Sequence, residues 1–262
     1  MERLRSAISG SHGFVGEHLC NRLDQFSVEY IRLDRSGNIP NDIGMIYDLA
    51  GYGNIAGQTE ALKIYNANLM RVINTTETMG DAKLLYVSTS SVLLPVQTHY
   101  SASKKATEEF LKLSGKRYAI ARPYSVTGVG EQSVHLIPKL IDSCLNGTEM
   151  PFVAEPVHDF IDVWDFVNAL ILIGMEGKLA GEVYDIGSGH QVRNEDVKDM
   201  VEQATGKKAN VKYIDSMRTY DTKEWRADNR LIRSLGWKPL KTLYESIQDM
   251  VYERNQAKNI RH

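Results

Sequence analysis

Tyr100 and Lys104 stand four residues apart, a spacing that puts both side chains on one face of a helix, one turn from each other. A free tyrosine titrates near pH ~10, but a lysine ammonium and an oxidised nicotinamide close by stabilise the phenolate and make it an acid/base near neutral pH. Upstream, Thr89 in the run Val87-Ser88-Thr89-Ser90-Ser91-Val92 can set a hydroxyl against the same substrate oxygen. Tyr-x-x-x-Lys alone is a common helix-surface pair, so its meaning depends on a second motif, Gly10-x-x-Gly13-x-x-Gly16. With His12, Phe14 and Val15 between the glycines, this turn is expected to bring backbone N–H groups and a helix N-terminus up to a pyrophosphate. Asp34 lies 18 positions beyond Gly16, near the distance at which an acidic residue accepts from a ribose 2′-OH. Arg35 and His12 would welcome a 2′-phosphate there, whereas Asp34 would repel it. NAD is therefore the expected cofactor and NADP the alternative.

Such groups must be held by strands and helices in alternation, and the first half of the chain has that pattern. Residues 4–9 read as a buried strand, 14–26 as a helix, 28–33 and 44–50 as strands, and 61–79 as a helix. Residues 83–88 and 117–121 read as further strands, separated by a helix over about 101–113 that Gly115 closes. This order predicts an α/β fold, a Rossmann-type doubly wound parallel sheet, with a smaller C-terminal substrate-binding lobe. Residues 1–127 are assigned to the dinucleotide-binding core. Residues 128–262 are assigned mainly to the lobe, with some segments returning to the core.

Composition narrows the function classes. Thirty-one Lys+Arg against 33 Asp+Glu give a formal net charge of −2, without the basic excess that phosphate neutralisation needs, so no nucleic-acid partner is expected. Apolar residues at 42% and charged residues at 24% exclude intrinsic disorder. Cys20 and Cys144 are too few for a disulfide framework and lack metal-ligand spacing, so no metal is expected and a reducing cytoplasm is. Apolar stretches fall short of the roughly 20 residues that cross a bilayer, and the N-terminus lacks a signal-peptide core, so no membrane partner is expected.

Taken with these motifs, the sequence resembles the extended short-chain dehydrogenase/reductases, the NAD-dependent epimerase/dehydratase family, over nearly its whole length. Asp48-Leu49-Ala50-Gly51 is similar to the family's His-Leu-Ala-Ala strand end beside the cofactor. Asn66-Ala67-Asn68 is similar to a helix segment whose second Asn lies near the catalytic Lys, and Arg122-Pro123-Tyr124-Ser125-Val126-Thr127-Gly128 to a loop near the nicotinamide and substrate. His158-Asp159-Phe160 resembles Arg-Asp-Phe, Tyr184-Asp185-Ile186-Gly187-Ser188-Gly189 resembles Tyr-Asn-Ile-Gly-x-Gly, and Leu235-Gly236-Trp237-Lys238-Pro239 resembles Leu-Gly-Trp-x-Pro. The resemblance implies that Thr89, Tyr100 and Lys104 are catalytic. It also implies that Leu49, Ala50, Gly51, Asn68, Ser88, Pro123, Tyr124 and Ser125 join the glycine-rich turn in holding the cofactor. Ser90, Ser91, His135, His158 and Arg226 are expected on the substrate, a nucleotide sugar. The helices 61–79 and 101–113 correspond to the family's four-helix dimer interface, so a homodimer is expected.

Departures are as informative. His158 replaces a common Arg, Ser125 a common Asn, and Leu93-Leu94 a common Tyr-Gly. Thirteen residues separate Asp34 from Asp48, a shorter connection than the family's, which implies a trimmed or more open adenine pocket. Ser91 stands where the epimerising ketoreductases carry a cysteine beside such a His, which argues against carbanion epimerisation. Three readings follow: a nucleotide-sugar 4-ketoreductase or 4-epimerase, a reductase of a non-nucleotide carbonyl compound, and a non-catalytic NAD(P)-binding regulatory protein. The three intact groups Thr89, Tyr100 and Lys104 argue against the last.

Overall fold

A computed structural model describes residues 5–33, 39–55, 57–215 and 224–259. Asp34 and Arg35, the expected ribose determinants, lie outside the described residues. The strands are β1 (Arg5–Ser9), β2 (Tyr30–Arg32), β3 (Ile43–Asp48), β4 (Lys83–Val87), β5 (Tyr118–Pro123), β6 (Ser125–Thr127), β7 (Met150–Phe152), β8 (Val157–Asp162), β9 (Val183–Ile186), β10 (Gln191–Arg193) and β11 (Val211–Tyr213). The α-helices are α1 (Phe14–Gln25), α2 (Ala61–Tyr65), α3 (Arg71–Thr78), α4 (His99–Leu113), α5 (Leu136–Asn146), α6 (Val163–Glu176), α7 (Asn194–Thr205), α8 (Arg230–Ser234) and α9 (Leu243–Asn259). They form two compact units: 5–123 with 167–186 and 230–237, and 124–166 with 187–229 and 238–259.

The first unit is built on a six-stranded parallel sheet in the order β2-β1-β3-β4-β5-β9, the Rossmann-like architecture that strand–helix alternation predicts. Side chains alternate across it with period two. Ala7, Ile46, Leu84, Tyr86 and Ile120 face a core completed by Val72 of α3 and Leu111 of α4. On β3 the next residue, Tyr47, is buried against α6, where a Cβ on Gly174 would fall 2.3 Å from the Tyr47 hydroxyl oxygen. Nine residues separate Leu33 from Ile43, fewer than the dozen or more of a helical crossover. The strands β2 and β3 lie on opposite sides of β1. That reversal makes the carboxyl ends of β1 and β3 the topological switch point, where open α/β sheets bind ligands.

Several predicted boundaries shift for identifiable reasons. The second strand begins at Tyr30, because Val28 N donates to Leu23 O at 2.9 Å and Ser27 takes φ 53°, closing a turn after α1. The fifth runs on to Pro123, which pairs with Ile186. The single helix expected over 61–79 is interrupted by a π-helical turn at Asn66–Met70.

In the second unit α5, α7 and α9 pack Leu140, Ile141, Val197, Val201, Ile247 and Met250 together with Phe152 of β7. A three-stranded sheet, β10-β8-β6, and the pair β11-β7 complete it.

Candidate functional site

The glycine-rich turn illustrates two uses of the same residue type. Gly10 has φ +69°, and a Cβ there would lie 2.7 Å from Ala50 N; one on Gly16 would lie 2.2 Å from Gly10 O. These two glycines let β1, the start of α1 and the Leu49-Ala50 segment close on one another. Gly13 differs, since its Cβ would meet only Gly10 O, at 3.3 Å. It is the N-cap of α1, with no side chain capping the helix, so the first-turn N–H groups around Phe14, Val15 and Gly16 are free to serve an anion. Gly16→Ala should accordingly destabilise the fold by roughly 2–3 kcal/mol, the cost of overpacking against backbone that cannot yield. Gly13→Ala should leave the melting temperature nearly unchanged and still weaken dinucleotide binding. Equal melting temperatures for the two variants would refute this division of labour.

Arg32 ties this turn down from β2. Its guanidinium donates to Ser11 O at 3.1 Å and to Glu17 Oε1 at 3.0 Å, and lies 3.2 Å from His12 Nδ1. His12 itself is largely exposed. No sequence motif singles out Arg32.

At the carboxyl end of β4, Ser88, Thr89 and Ser90 are buried, and Ser90–Leu93 forms a 3₁₀ turn whose Ser91 N–H donates to Thr89 Oγ1 at 3.2 Å. The helix α4 starts two residues earlier than predicted, because Thr98 and Ser101 form a reciprocal capping box: Ser101 N to Thr98 Oγ1 at 3.2 Å and Thr98 N to Ser101 Oγ at 2.9 Å. This fixes Tyr100 in the first turn. Its phenol is hydrogen-bonded to Thr89, which favours the phenolate, but burial dominates and pushes it up to about 12.

One turn on, Lys104 is 2% exposed. Its Nζ donates to Val87 O at 2.9 Å and lies 4.8 Å from the centroid of the Tyr86 ring. Burial holds the ammonium down at about 8, against the pull of Asp48 and Glu108 and with the help of Arg71. Burial thus moves the phenol up and the ammonium down from their ordinary values. A Cβ on Gly51 would lie 3.5 Å from Lys104 Nζ and 3.6 Å from Asn68 Oδ1, which puts Gly51, Asn68 and Lys104 around one point.

Asn68 owes its place to the π turn. Its side chain accepts from Tyr52 N at 2.9 Å and donates to Tyr52 O at 2.8 Å and Ser103 Oγ at 2.9 Å. Thr107 Oγ1 donates to the Asn68 carbonyl and Arg71 Nε to the Ala67 carbonyl, taking acceptors within the irregular turn. π turns of this kind recur at functional sites.

A turn beyond Lys104, Glu108 is buried and takes Arg122 through both carboxylate oxygens, with Nε at 2.9 Å, while Ser88 donates to it as well. Tyr100, Lys104 and Glu108 therefore form one stripe at four-residue spacing, a signal legible in sequence that the sequence reading did not use. Pro123 ends β5, one residue beyond Arg122.

The remaining candidates belong to the second unit. Tyr124 packs against Trp225 with ring centroids 5.4 Å apart, and Ser125 opens β6. His158 lies on β8 beside Phe160, their centroids 5.6 Å apart. Between them Asp159, fully buried, accepts from Ser188 N at 2.7 Å, Gly189 N at 3.0 Å and Ala227 N at 2.9 Å, so it holds the loop that carries exposed Arg226. His135 occupies the N-cap position of α5 without a side-chain capping bond, and its Nδ1 lies 2.9 Å from Glu131 Oε1. Glu131, only 6% exposed, also accepts from Thr127 Oγ1 at 2.6 Å. A carboxylate on Nδ1 selects the tautomer that leaves Nε2 as the working atom. The sequence reading missed Glu131, though it precedes His135 by four. Among the described residues no group of three or more His, Cys, Asp or Glu side chains could hold a metal ion.

These features define a doubly wound α/β protein with an anion-ready glycine turn after β1 and the Thr89, Tyr100 and Lys104 groups at the end of β4 and the start of α4. The pattern of the NAD dependent epimerase/dehydratase family matches residues 7–187, and the chain belongs to that family. It is 28% identical over 204 aligned positions to a dTDP-glucose 4,6-dehydratase of Salmonella typhimurium, covering 68% of this chain and 56% of that enzyme. The chain thus spans little more than half the length of such relatives. In fold it is similar to MoeE5 in complex with UDP-glucose and NAD (TM-score 0.86, 21% identity, 97% and 99% of the two chains covered). It is similar also to a UDP-glucose 4-epimerase of Thermus thermophilus in complex with NAD (TM-score 0.84, 20% identity, 97% and 99% covered).

Proposed function

We propose that the chain is an NAD(P)-dependent oxidoreductase of a nucleotide sugar, of the 4-ketoreductase or 4-epimerase type. The observation that carries this reading is the hydrogen bond between Thr89 at the end of β4 and Tyr100 in the first turn of α4, with Lys104 one turn further on and bonded to Val87 O. Gly13 and the first turn of α1 would hold the pyrophosphate, with Gly51, Asn68 and Lys104 toward the nicotinamide end; NAD is the expected form and NADP the alternative. The dinucleotide supplies the hydride acceptor and donor. Thr89 orients the substrate oxygen, Tyr100 exchanges its proton, and Lys104 stabilises the phenolate in that exchange.

In the second unit His135, with Nδ1 engaged by Glu131, keeps Nε2 for a phosphate or sugar oxygen, and His158 and Arg226 are the other candidates there for substrate contact. The exposed Leu62 and Met70 on the helical segment 61–78 and Leu113 on α4 support a homodimer through these helices. No helix among the described residues is long and apolar enough to cross a membrane; a cytoplasmic site of action and the absence of membrane and nucleic-acid partners accord with the near-neutral charge.

The test is mass spectrometry of any ligand retained on the purified protein, followed by absorbance of reduced nicotinamide with UDP-, dTDP-, GDP- and CDP-sugars and their 4-keto forms. Hydride transfer with one of these supports the reading. Turnover only of a non-nucleotide carbonyl compound, to which the loss of an Arg at His158 points, would replace it with the second.

A further inference from the structure

The capping position of α5 is held by a residue that does not cap. At His135 a Ser, Thr, Asp or Asn would accept from the first-turn N–H groups, but the imidazole makes no such bond. The ring turns instead to Glu131, four residues earlier, with Nδ1 2.9 Å from Oε1. That carboxylate is itself firmly set. Its side chain is 6% exposed, its backbone N–H donates to Gly128 O at 3.0 Å, and its Oε2 accepts from Thr127 Oγ1 at 2.6 Å. Thr127, buried at the end of β6, is thus joined through Glu131 to a ring that is 35% exposed. A carboxylate so far out of water is costly unless its oxygens are bonded, and here the hydroxyl takes one and the imidazole the other. Helix stability would be better served by a capping side chain at 135, so the place of the ring calls for another account.

We propose that Glu131, braced by Thr127, is a positioning residue that locks His135 in the Nδ1–H form, so that Nε2 accepts a hydrogen bond from a hydroxyl of the substrate's sugar and does not donate to its phosphates. This rests on the reading of the chain as acting on a nucleotide sugar that His135 touches. An ionised carboxylate only accepts, and Oε2 is already taken by the Thr127 hydroxyl, so Oε1 holds the hydrogen on Nδ1. A neutral imidazole carries one N–H, and with that hydrogen on Nδ1 the other nitrogen presents a bare lone pair. The phosphates of a nucleotide sugar are ionised acceptors with no hydrogen to offer it, whereas each sugar hydroxyl has one. With Nδ1 engaged and the ring partly open to solvent, Nε2 is the atom left for a ligand.

NMR of the free protein, isotopically labelled at the histidine side-chain nitrogens, tests the lock, the His135 signals being those lost in His135→Ala. At a pH where the ring is neutral, Nδ1 should carry the hydrogen and Nε2 should be bare. In Glu131→Gln, whose amide can donate as well as accept, both forms should appear. A bare Nδ1 in the parent, or a tautomer unchanged by Glu131→Gln, overturns the proposal. Calorimetric titration then compares UDP-, dTDP-, GDP- and CDP-glucose, each with its own nucleoside diphosphate. Glu131→Gln and His135→Ala should each weaken the sugar nucleotide that binds by roughly 3- to 10-fold, the effect of one hydrogen bond, and leave its nucleoside diphosphate within a factor of about two. Unchanged affinity for the sugar nucleotide, or equal losses for both members of the pair, as a ring donating to phosphate or a merely structural change would give, overturns the hydroxyl assignment. The parent's tautomer and the His135→Ala comparison decide the matter even where Glu131→Gln does not fold. Should none of the sugar nucleotides bind the parent, the nucleotide-sugar reading fails and the hydroxyl assignment with it, while the tautomer still decides the lock.

Discussion

Tyr100→Phe should reduce turnover by about 10²-fold or more while leaving dinucleotide affinity within a factor of about two, the loss typical of a positioned general acid/base. The hydroxyl is the only atom removed, and it is the group that Thr89 contacts. Ring packing and the capping box that fixes the turn remain. Burial pushes the phenol up to about 12. Proton loss is therefore helped by positive charge, which Lys104 and an oxidised nicotinamide would supply. Lys104→Met should then lower both turnover and dinucleotide affinity, because the same ammonium would serve the phenolate and the ribose. Stopped-flow and equilibrium fluorescence titrations separate the two steps. Parent-like turnover in the Phe variant would remove Tyr100 from the chemistry.

The sheet and the candidate cluster were legible because they depend on local pattern. Short apolar runs along β1, β3 and β4 mark strands buried on both faces whatever packs on them, and the four-residue spacing of Tyr100 and Lys104 survives any small shift in the helix start. The π turn at Asn66–Met70 was not legible, since the donors that support it, Thr107 and Arg71, come from α4 and from the following helix. The shift of α4 to His99 could have been read from Thr98-x-x-Ser101, a capping pair with a hydroxyl in place of the usual acid. The lysine's low titration was hidden for a different reason: spacing reports who is adjacent, whereas burial to 2% exposure is a property of the folded unit. The carboxylates Glu108 and Glu131 escaped attention because each acts on a neighbour and does not stand in a motif of its own.

Incubated with dTDP-, GDP-, CDP- and UDP-hexoses, the protein should form no 4-keto-6-deoxy product, even though dTDP-glucose 4,6-dehydratases are among the sequences it resembles. Loss of water across C5 and C6 after oxidation at C4 needs an acid and a base beyond the Thr/Tyr pair. In the dehydratases that this family includes, they are expected as Asp-Glu immediately after the Thr. Here Ser90 and Ser91 follow Thr89, and the 3₁₀ turn buries Ser90 and spends the Ser91 N–H on Thr89 Oγ1. A serine hydroxyl is too weak an acid and too weak a base to exchange these protons unaided at neutral pH. The carboxylate that does reach this strand end, Glu108, is held by Arg122 and Ser88 and is 1% exposed, so it cannot substitute. Missing an acid/base of this kind typically costs about 10²–10⁴-fold for each group, which puts dehydration below any competing hydride transfer at a single carbon. Robust 4-keto-6-deoxy formation from any of the four nucleotide hexoses, followed by mass spectrometry of the reaction mixture, would overturn this assignment and place the second acid/base on residues outside the Thr89 turn.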